Sequence, residues 1–155
     1  MKRFGLVFLA FCMVFGVLTG CAEKAKPTEY DLEALGKQLA DSGAFSDILS
    51  PVNKEIAASF YGFEDAEVTE CVEYCSTGAT TEEITLLKCA SEEAAAKIKA
   101  NAQARVEAQR TIYESYAPLE MPKLDDAIVM QDGLYVFYVV SADSAKAQAV
   151  LDTLK

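Results

Sequence analysis

The chain has 155 residues and a formal net charge of −10, and it contains no His and no Trp. Without His it cannot form a Ser-His-Asp triad, a Cys-His catalytic pair or a His-ligated zinc site. Its acidity, with a sequence pI near 4.5, argues against binding to nucleic acid phosphates.

The N-terminal residues have the pattern of an export and anchoring signal. A basic segment, residues 1–3, precedes the uncharged and mainly apolar residues 4–18, which are too few for a comfortable membrane span. Residues 18–21 read Leu-Thr-Gly-Cys and match a lipobox. We therefore expect residues 1–20 to be a cleaved lipoprotein signal peptide and Cys21 to carry the lipid. The alternative is an ordinary signal peptide whose first mature residue happens to be Cys.

A lipidated Cys21 would hold the chain on the outer side of a cell membrane. Two acyl chains anchor a protein firmly without help from basic residues. Residues 21–28 are the lipidated Cys and a polar tether that spans at most about 25 Å, so we expect the domain to lie close to the bilayer. An anionic surface repels an acidic domain, and partners are therefore expected beside it.

The hydrophobic pattern predicts one folded domain, residues 29–155, that begins with two helices. The first can end at Gly43, and its apolar face consists of Leu32, Leu35, Gly36 and Leu39. The second covers residues 53–61 and can end at Gly62; its inward residues are expected to be Ile56, Ala57 and Phe60.

Two pairs of strands are predicted, each followed by a helix. Residues 66–76 and 84–90 are rich in β-forming residues and form the first pair. Residues 128–130 and 134–141 form a hairpin around the Asp-Gly turn signal. Residues 134–140 are apolar at both parities, which indicates a strand that is central or covered on both faces.

A long helix follows the first pair and a short one follows the second. Ser91 is placed to cap the long helix, which runs to about residue 116; its stripe is Ala95, Ile98, Ala102, Val106, Gln109, Tyr113 and Tyr116. The last helix starts near Asp143 and presents Ala147, Val150, Leu151 and Leu154 on one face. This order predicts an α+β fold with an antiparallel sheet of about four strands in two hairpins, a helical N-terminal lead-in, and helices on one face.

Several short segments carry a resemblance to a known family. They are Tyr61-Gly62 before the first strand, residues 76–80 with Glu83-Ile84, the sequence Tyr116-Ala117-Pro118, and residues 133–136. Together they resemble an uncharacterised family of small lipoproteins, mostly from Gram-positive anaerobes, known only as a domain of unknown function. The resemblance covers about residues 29–154. It implies display on the surface of a single-membrane cell, and it implies no reaction, ligand or catalytic residue.

Three cysteines fall in the predicted domain: Cys71, Cys75 and Cys89. An odd number cannot form a complete disulfide framework. Cys71 and Cys75 would share a strand face about 13 Å apart, beyond bonding distance, whereas Cys89 could face Cys71 across the first hairpin. The sequence leaves a Cys71–Cys89 disulfide and three buried free thiols as alternatives, and it predicts no metal site and no cofactor.

The loop of residues 77–83, Thr-Gly-Ala-Thr-Thr-Glu-Glu, is the candidate binding site. Its hydroxyls and exposed amides suit an anion or a peptide backbone, and the residues concerned are Thr77, Gly78, Thr80 and Glu83. The competing structural interpretation is a capping box, in which Thr80 and Glu83 satisfy each other's backbone amides.

No catalytic constellation is recognisable, so we expect a protein that is not an enzyme. The leading hypothesis is a lipid-anchored extracytoplasmic module that binds an envelope protein or a small ligand, and no nucleic acid. The first alternative is a cell-envelope enzyme or enzyme subunit that uses the Thr77–Glu83 loop; a cleft joining that loop to a carboxylate of raised pKa would favour it. The second is a purely structural envelope lipoprotein.

Overall fold

The structure, a computed structural model, describes residues 29–154. The predicted signal peptide, lipobox, Cys21 and tether lie outside the described residues, as does Lys155 at the end of the predicted domain. Within residues 29–154 no helix has both the length and the apolar character needed to cross a membrane.

Five helices and five strands form the described part of the chain. The helices are α1 (Leu32–Ala40), α2 (Lys54–Tyr61), α3 (Glu92–Tyr116), α4 (Met121–Asp125) and α5 (Ser144–Leu151), and the strands are β1 (Ser50–Pro51), β2 (Val68–Cys75), β3 (Glu83–Cys89), β4 (Ile128–Asp132) and β5 (Tyr135–Val140). All helices and strands predicted from the sequence are present. The Ser91 hydroxyl caps α3 as predicted, by accepting a hydrogen bond from the Ala94 amide.

The strands form one antiparallel sheet in the order β1-β2-β3-β5-β4. This confirms the α+β class and both predicted hairpins. The fifth strand, β1, was not predicted; Ser50 pairs with Cys75 and Pro51 with Tyr74 at the edge of the sheet. A strand of two residues, one of them Pro, is too short to show a periodic pattern.

The prediction that helices cover one face of the sheet is wrong, because both faces are covered. The core on one face includes residues of α2, α3 and α4, and we term it the α3 face. The core on the other includes residues of α1 and α5. β5 is buried along its whole length, which explains its apolar residues at both parities. In β3 the polar Glu83 and Thr85 are buried as well, so its sequence does not reveal the double cover.

Two helices turn different residues inward from those predicted. In α2, Ala57 and Tyr61 are buried four residues apart, whereas Ile56 and Phe60 are 46% and 38% exposed. In α3 the predicted stripe is buried at Ala95, Ile98, Ala102, Val106 and Tyr113. Tyr116, the last residue of α3, is exposed. Periodicity finds the apolar sector of a helix, and the neighbouring elements decide which edge of that sector is covered.

The two ends of the sheet lie far apart. One end is where the described chain first contacts the sheet, and we term it the entry end. There Glu29 accepts hydrogen bonds from Lys88 Nζ (2.9 Å) and from the Tyr135 hydroxyl (3.2 Å). Lys88 and Tyr135 pair where β3 ends and β5 begins. At the loop end, residues 76–82 connect β2 to β3. The eight residues of β2 separate the ends by about 23 Å.

Candidate functional site

The predicted binding loop does not form one site, because its residues point in different directions. Thr77 and Gly78 are exposed at its tip, and Gly78 has a φ of +98°, a conformation that favours glycine. Thr80 is half-buried. Glu83 is the first residue of β3, and Arg105 of α3 covers its carboxylate. The structure thus places Thr77 and Gly78 at the surface and Glu83 beneath α3.

The capping box predicted for Thr80 and Glu83 is wrong, because this segment enters a strand rather than a helical turn. The Thr80 hydroxyl accepts from the Glu82 amide (3.3 Å) and donates to Asp47 Oδ2 (3.4 Å). Both carboxylate oxygens of Glu83 accept from Arg105 Nε (3.0 Å each). The two residues therefore belong to separate polar networks.

The first network, termed the loop clamp, holds the base of the loop; its residues are Ser46, Asp47, Glu82, Glu120 and Lys123. The buried Glu82 carboxylate accepts from the backbone amides of Ser46 (2.9 Å) and Asp47 (3.0 Å), and from Lys123 Nζ (2.9 Å). Burial raises the pKa of Glu82, but hydrogen bonds from Ser46, Lys123 and Asp47 outweigh burial and hold that pKa below its usual value. Glu82 is therefore a charged anchor for the loop.

Two residues near the end of α3 fix the loop from the other side. Glu120 accepts from the Thr81 amide (2.9 Å) and hydroxyl (3.2 Å), and the Tyr113 hydroxyl donates to the Thr80 carbonyl (3.0 Å). Sequence reasoning missed these residues because Tyr113 and Glu120 lie 33 and 39 positions from their partners. The sequence signal for the loop clamp was the adjacent acidic pair Glu82-Glu83, in a loop otherwise made of small and hydroxyl residues.

Large apolar side chains are exposed beside the loop. Leu119 is 88% exposed, Ile48 86% and Tyr116 70%. We term these three residues, together with Thr77 and Gly78, the loop-end surface. Ile48 and Leu119 each adjoin a clamp residue in the chain, and the Tyr116 ring packs edge-on against buried Tyr113, with centroids 6.0 Å apart. The loop-end surface therefore stands on an ordered base.

The second network, termed the buried cluster, lies on the α3 face; it consists of Tyr61, Glu73, Cys75, Glu83, Thr85, Arg105 and Tyr138. Strand register assembles it: Thr85 pairs with Glu73 on one side and Tyr138 on the other, and Cys75 pairs with Glu83 two residues nearer the loop end. Arg105 Nη2 lies 2.7 Å from Glu83, which also accepts from the Tyr61 hydroxyl.

Burial disfavours further charge in the buried cluster. Burial, with the negative charge of Glu83, raises the pKa of Glu73 to about 7. The same two causes raise the pKa of the Cys75 thiol. Glu73 is only 2% exposed, so its carboxyl group is inaccessible to solvent. Its sequence signal was weak: a Glu at the same strand parity as Cys71 and Cys75.

The three cysteines of the described chain are free thiols. Register pairs Cys71 with Leu87 and Cys89 with Val68, so the two cysteines do not face each other. The structure therefore contains no Cys71–Cys89 disulfide and agrees with the alternative of three free thiols. Cys89 is buried, and Cys71 and Cys75 are half-buried.

Comparison with known proteins finds one family. A family model described as Domain of unknown function (DUF4358) matches residues 42–141. The matched segment contains all five strands with α2, α3 and α4, and therefore both the loop clamp and the buried cluster; α1 and α5 lie outside it. No curated protein and no solved structure matches the chain.

Proposed function

We propose that this chain, which belongs to the DUF4358 family, is a lipid-anchored extracytoplasmic protein that binds another envelope protein through its loop-end surface. The lipobox of residues 18–21 supplies the anchor at Cys21, on the outer face of a single-membrane cell. The folded domain presents the partner-binding surface and catalyses no reaction itself.

One observation carries this proposal: the chain enters the domain at the end of the sheet opposite the loop. Glu29 follows Cys21 by eight residues and is bonded at the entry end. The loop-end surface lies about 23 Å away along β2. A tether this short keeps the entry end near the bilayer, so the loop-end surface faces the envelope.

The loop clamp supports a binding role because it orders the loop before any partner arrives. The Ser76 hydroxyl, before the exposed tip, donates to Asp47, and Glu120 binds the Thr81 amide after it. A preordered loop loses less conformational entropy when it binds. Exposed loops on a rigid base are common positions for recognition residues.

A protein is a better partner for this surface than a small ligand, because its apolar side chains protrude. Small ligands bury most of their area in concave pockets. Ile48 and Leu119 are each more than four-fifths exposed. Exposed apolar groups bordered by polar residues are typical of protein interfaces.

The enzyme alternative lacks the arrangement that would favour it. It needs a carboxylate of raised pKa in a cleft at the loop. Glu73 has the raised pKa, but its side chain is buried. Turnover by the purified protein that a substitution at Thr77 or Glu83 abolishes would restore this alternative.

The anchor is tested by labelling cells with a fatty acid analogue and recovering the full chain. We expect label on the wild-type protein and none on Cys21→Ala, because the lipid is attached to that sulfur. Cys12→Ala is the matched control and retains the label, since Cys12 lies in the signal peptide. Unlabelled wild-type protein, or label retained by Cys21→Ala, would contradict the anchor.

The partner surface is tested by crosslinking in the protein's own membranes, followed by mass spectrometry. We expect one stoichiometric envelope protein with the wild type and at least a tenfold lower yield with the double variant Ile48→Glu/Leu119→Glu. Ile56→Glu is the matched control, since Ile56 is an exposed apolar residue on α2. Recovery of the protein alone, or equal yields from all three, would overturn the proposed surface.

A further inference from the structure

The buried cluster brings three metal-binding atoms together. One carboxylate oxygen each of Glu73 and Glu83, and the sulfur of Cys75, lie within 4.8 Å of one another. Alternation along β2 places Glu73 and Cys75 on the same face, and the register sets Glu83 opposite Cys75. Cys75 Sγ is already 3.3 Å from Glu73 Oε1. The backbone of two paired strands therefore fixes the positions of all three.

Two buried polar atoms in the same cluster have no hydrogen-bond partner among the described residues. They are Glu73 Oε2 and the Tyr138 hydroxyl, and both side chains are at least 98% buried. Thr85 pairs with Glu73 on one neighbouring strand and with Tyr138 on the other, so the three side chains lie on the same face of the sheet. A buried polar group without a partner is unfavourable. The two atoms therefore indicate that the cluster accommodates a further polar species.

The formal charge of the donor atoms indicates which kind of ion the cluster can hold. Metal binding displaces the thiol proton, and the three donors then carry three negative charges, of which Arg105 compensates for one. Two negative charges remain, and a divalent cation neutralises them. A buried charge is strongly unfavourable unless it is paired or binds a metal.

We propose that Glu73, Cys75 and Glu83 bind one Zn²⁺ ion, with the Tyr138 hydroxyl beside its fourth position. Zn²⁺ accepts sulfur and oxygen ligands in a tetrahedral arrangement. Ca²⁺ and Mg²⁺ prefer oxygen ligands alone, so the thiolate disfavours them. Tetrahedral bonds to sulfur and oxygen separate those atoms by about 3.5 Å, and a small contraction of the cluster supplies this spacing. Arg105 and Tyr61 orient Glu83 from outside the ligand set.

The site is tested with the full chain, extracted in detergent, stripped of metal with a chelator and titrated with CdCl₂ without oxygen. Cd²⁺ bound to a thiolate absorbs in the ultraviolet, and we expect saturation at one ion per chain. Cys75→Ser abolishes this absorption. Cys71→Ser and Cys89→Ser are matched controls that retain it, because neither residue belongs to the cluster. No absorption with the wild type, or equal absorption with Cys75→Ser, would overturn the site.

Two further variants separate metal binding from folding. Glu73→Gln alters a ligand and is expected to lower the affinity for ZnCl₂ at least tenfold. Tyr138→Phe removes the hydroxyl beside the fourth position and is expected to lower that affinity about tenfold. Without metal, Tyr138→Phe keeps or raises the melting temperature, because it removes a buried hydroxyl that lacks a partner. If ZnCl₂ leaves the wild-type melting temperature unchanged, water rather than a metal joins the two atoms. If zinc raises it equally in all three proteins, the ion binds elsewhere. Either result contradicts the proposal.

Discussion

Glu82 and Glu83 show how two adjacent residues of the same type acquire different roles. Glu82 binds Lys123 and the backbone of Ser46 and Asp47 in the loop clamp, whereas Glu83 binds Arg105 on the α3 face. Consecutive side chains of an extended chain point in opposite directions. The sequence identifies the pair as acidic and near a loop. It does not reveal the bonding partners, since these are brought together only by the tertiary fold.

Replacing Glu82 by Gln is expected to lower the free energy of unfolding at pH 7 by about 2–4 kcal/mol. The substitution leaves the half-buried Lys123 ammonium with less compensating charge. The pKa of Glu82 is lowered in the folded protein, so its stabilising effect is complete above the ordinary value of 4.5 and is lost as the pH falls through the lowered pKa. The gap between wild type and variant should therefore narrow in acid, as measured by urea unfolding at several pH values.

Glu107→Gln is the control for this measurement, because Glu107 forms an exposed ion pair with Arg110. We expect it to change stability by less than about 1 kcal/mol at neutral pH. A Glu82→Gln protein as stable as this control at pH 7 would contradict the clamp. So would a stability gap that stays constant down to acid pH.

Cys71 and Cys89 are expected to be unreactive thiols in the folded protein. Burial raises the pKa of both Cys71 and Cys89 to about 11, so little thiolate is present near neutral pH. We expect both to react slowly with iodoacetamide in the folded protein. After unfolding without a reductant, Cys71, Cys75 and Cys89 should each be found alkylated by peptide mass. A peptide pair linked through Cys71 and Cys89 would show that the strand register is wrong.

At the scale of elements, the sequence predicts α1 and its buried face correctly. Leu32, Leu35, Gly36 and Leu39 are all buried. Gly36 brings the helix close to the sheet: a Cβ atom on this residue would lie 2.8 Å from Val72 Cγ1 and 3.2 Å from Tyr74 Cε2. Such a contact between distant elements is invisible to periodicity, which identifies the face but not its distance from the sheet.

Gly36→Ala is expected to lower the free energy of unfolding by about 1–2 kcal/mol. Overpacking against Val72 costs about 1–3 kcal/mol, and the better helix propensity of Ala offsets up to about 1 kcal/mol. Gln38→Ala, on the exposed face of α1, is the control and should equal or exceed the wild type. Equal stability of the two variants in urea unfolding would mean that α1 packs less closely than the structure has it.

The strands show where prediction from sequence stops. Both hairpins follow from turn signals and β-forming residues, and the continuous apolar run of β5 correctly indicates a doubly covered strand. The cover of β3 on both faces was missed because buried Glu83 and Thr85 resemble solvent-facing residues in the sequence. Those two residues are polar because they belong to the buried cluster. The sequence pattern of β3 is therefore misleading, because other side chains, rather than water, satisfy the hydrogen-bonding groups of these two residues.

At the scale of the whole molecule, the two polar networks occupy different positions relative to the surface. The loop clamp supports an exposed surface at the loop end, whereas the buried cluster lies within the core on the α3 face. Both fall within the segment that matches the DUF4358 family. The sequence predicts the loop as the candidate site, but only the fold shows that its exposed tip and its buried Glu83 belong to separate arrangements.

Site-specific photo-crosslinking can show directly whether the loop-end surface binds an envelope protein. A photoreactive amino acid replaces Leu119 in one full-length variant and Glu92 in another. Both positions are exposed, but Glu92 starts α3 near the entry end. After irradiation of intact cells, we expect one crosslinked partner from position 119 and none from position 92. Crosslinks from position 92 alone, or from neither position, would contradict it.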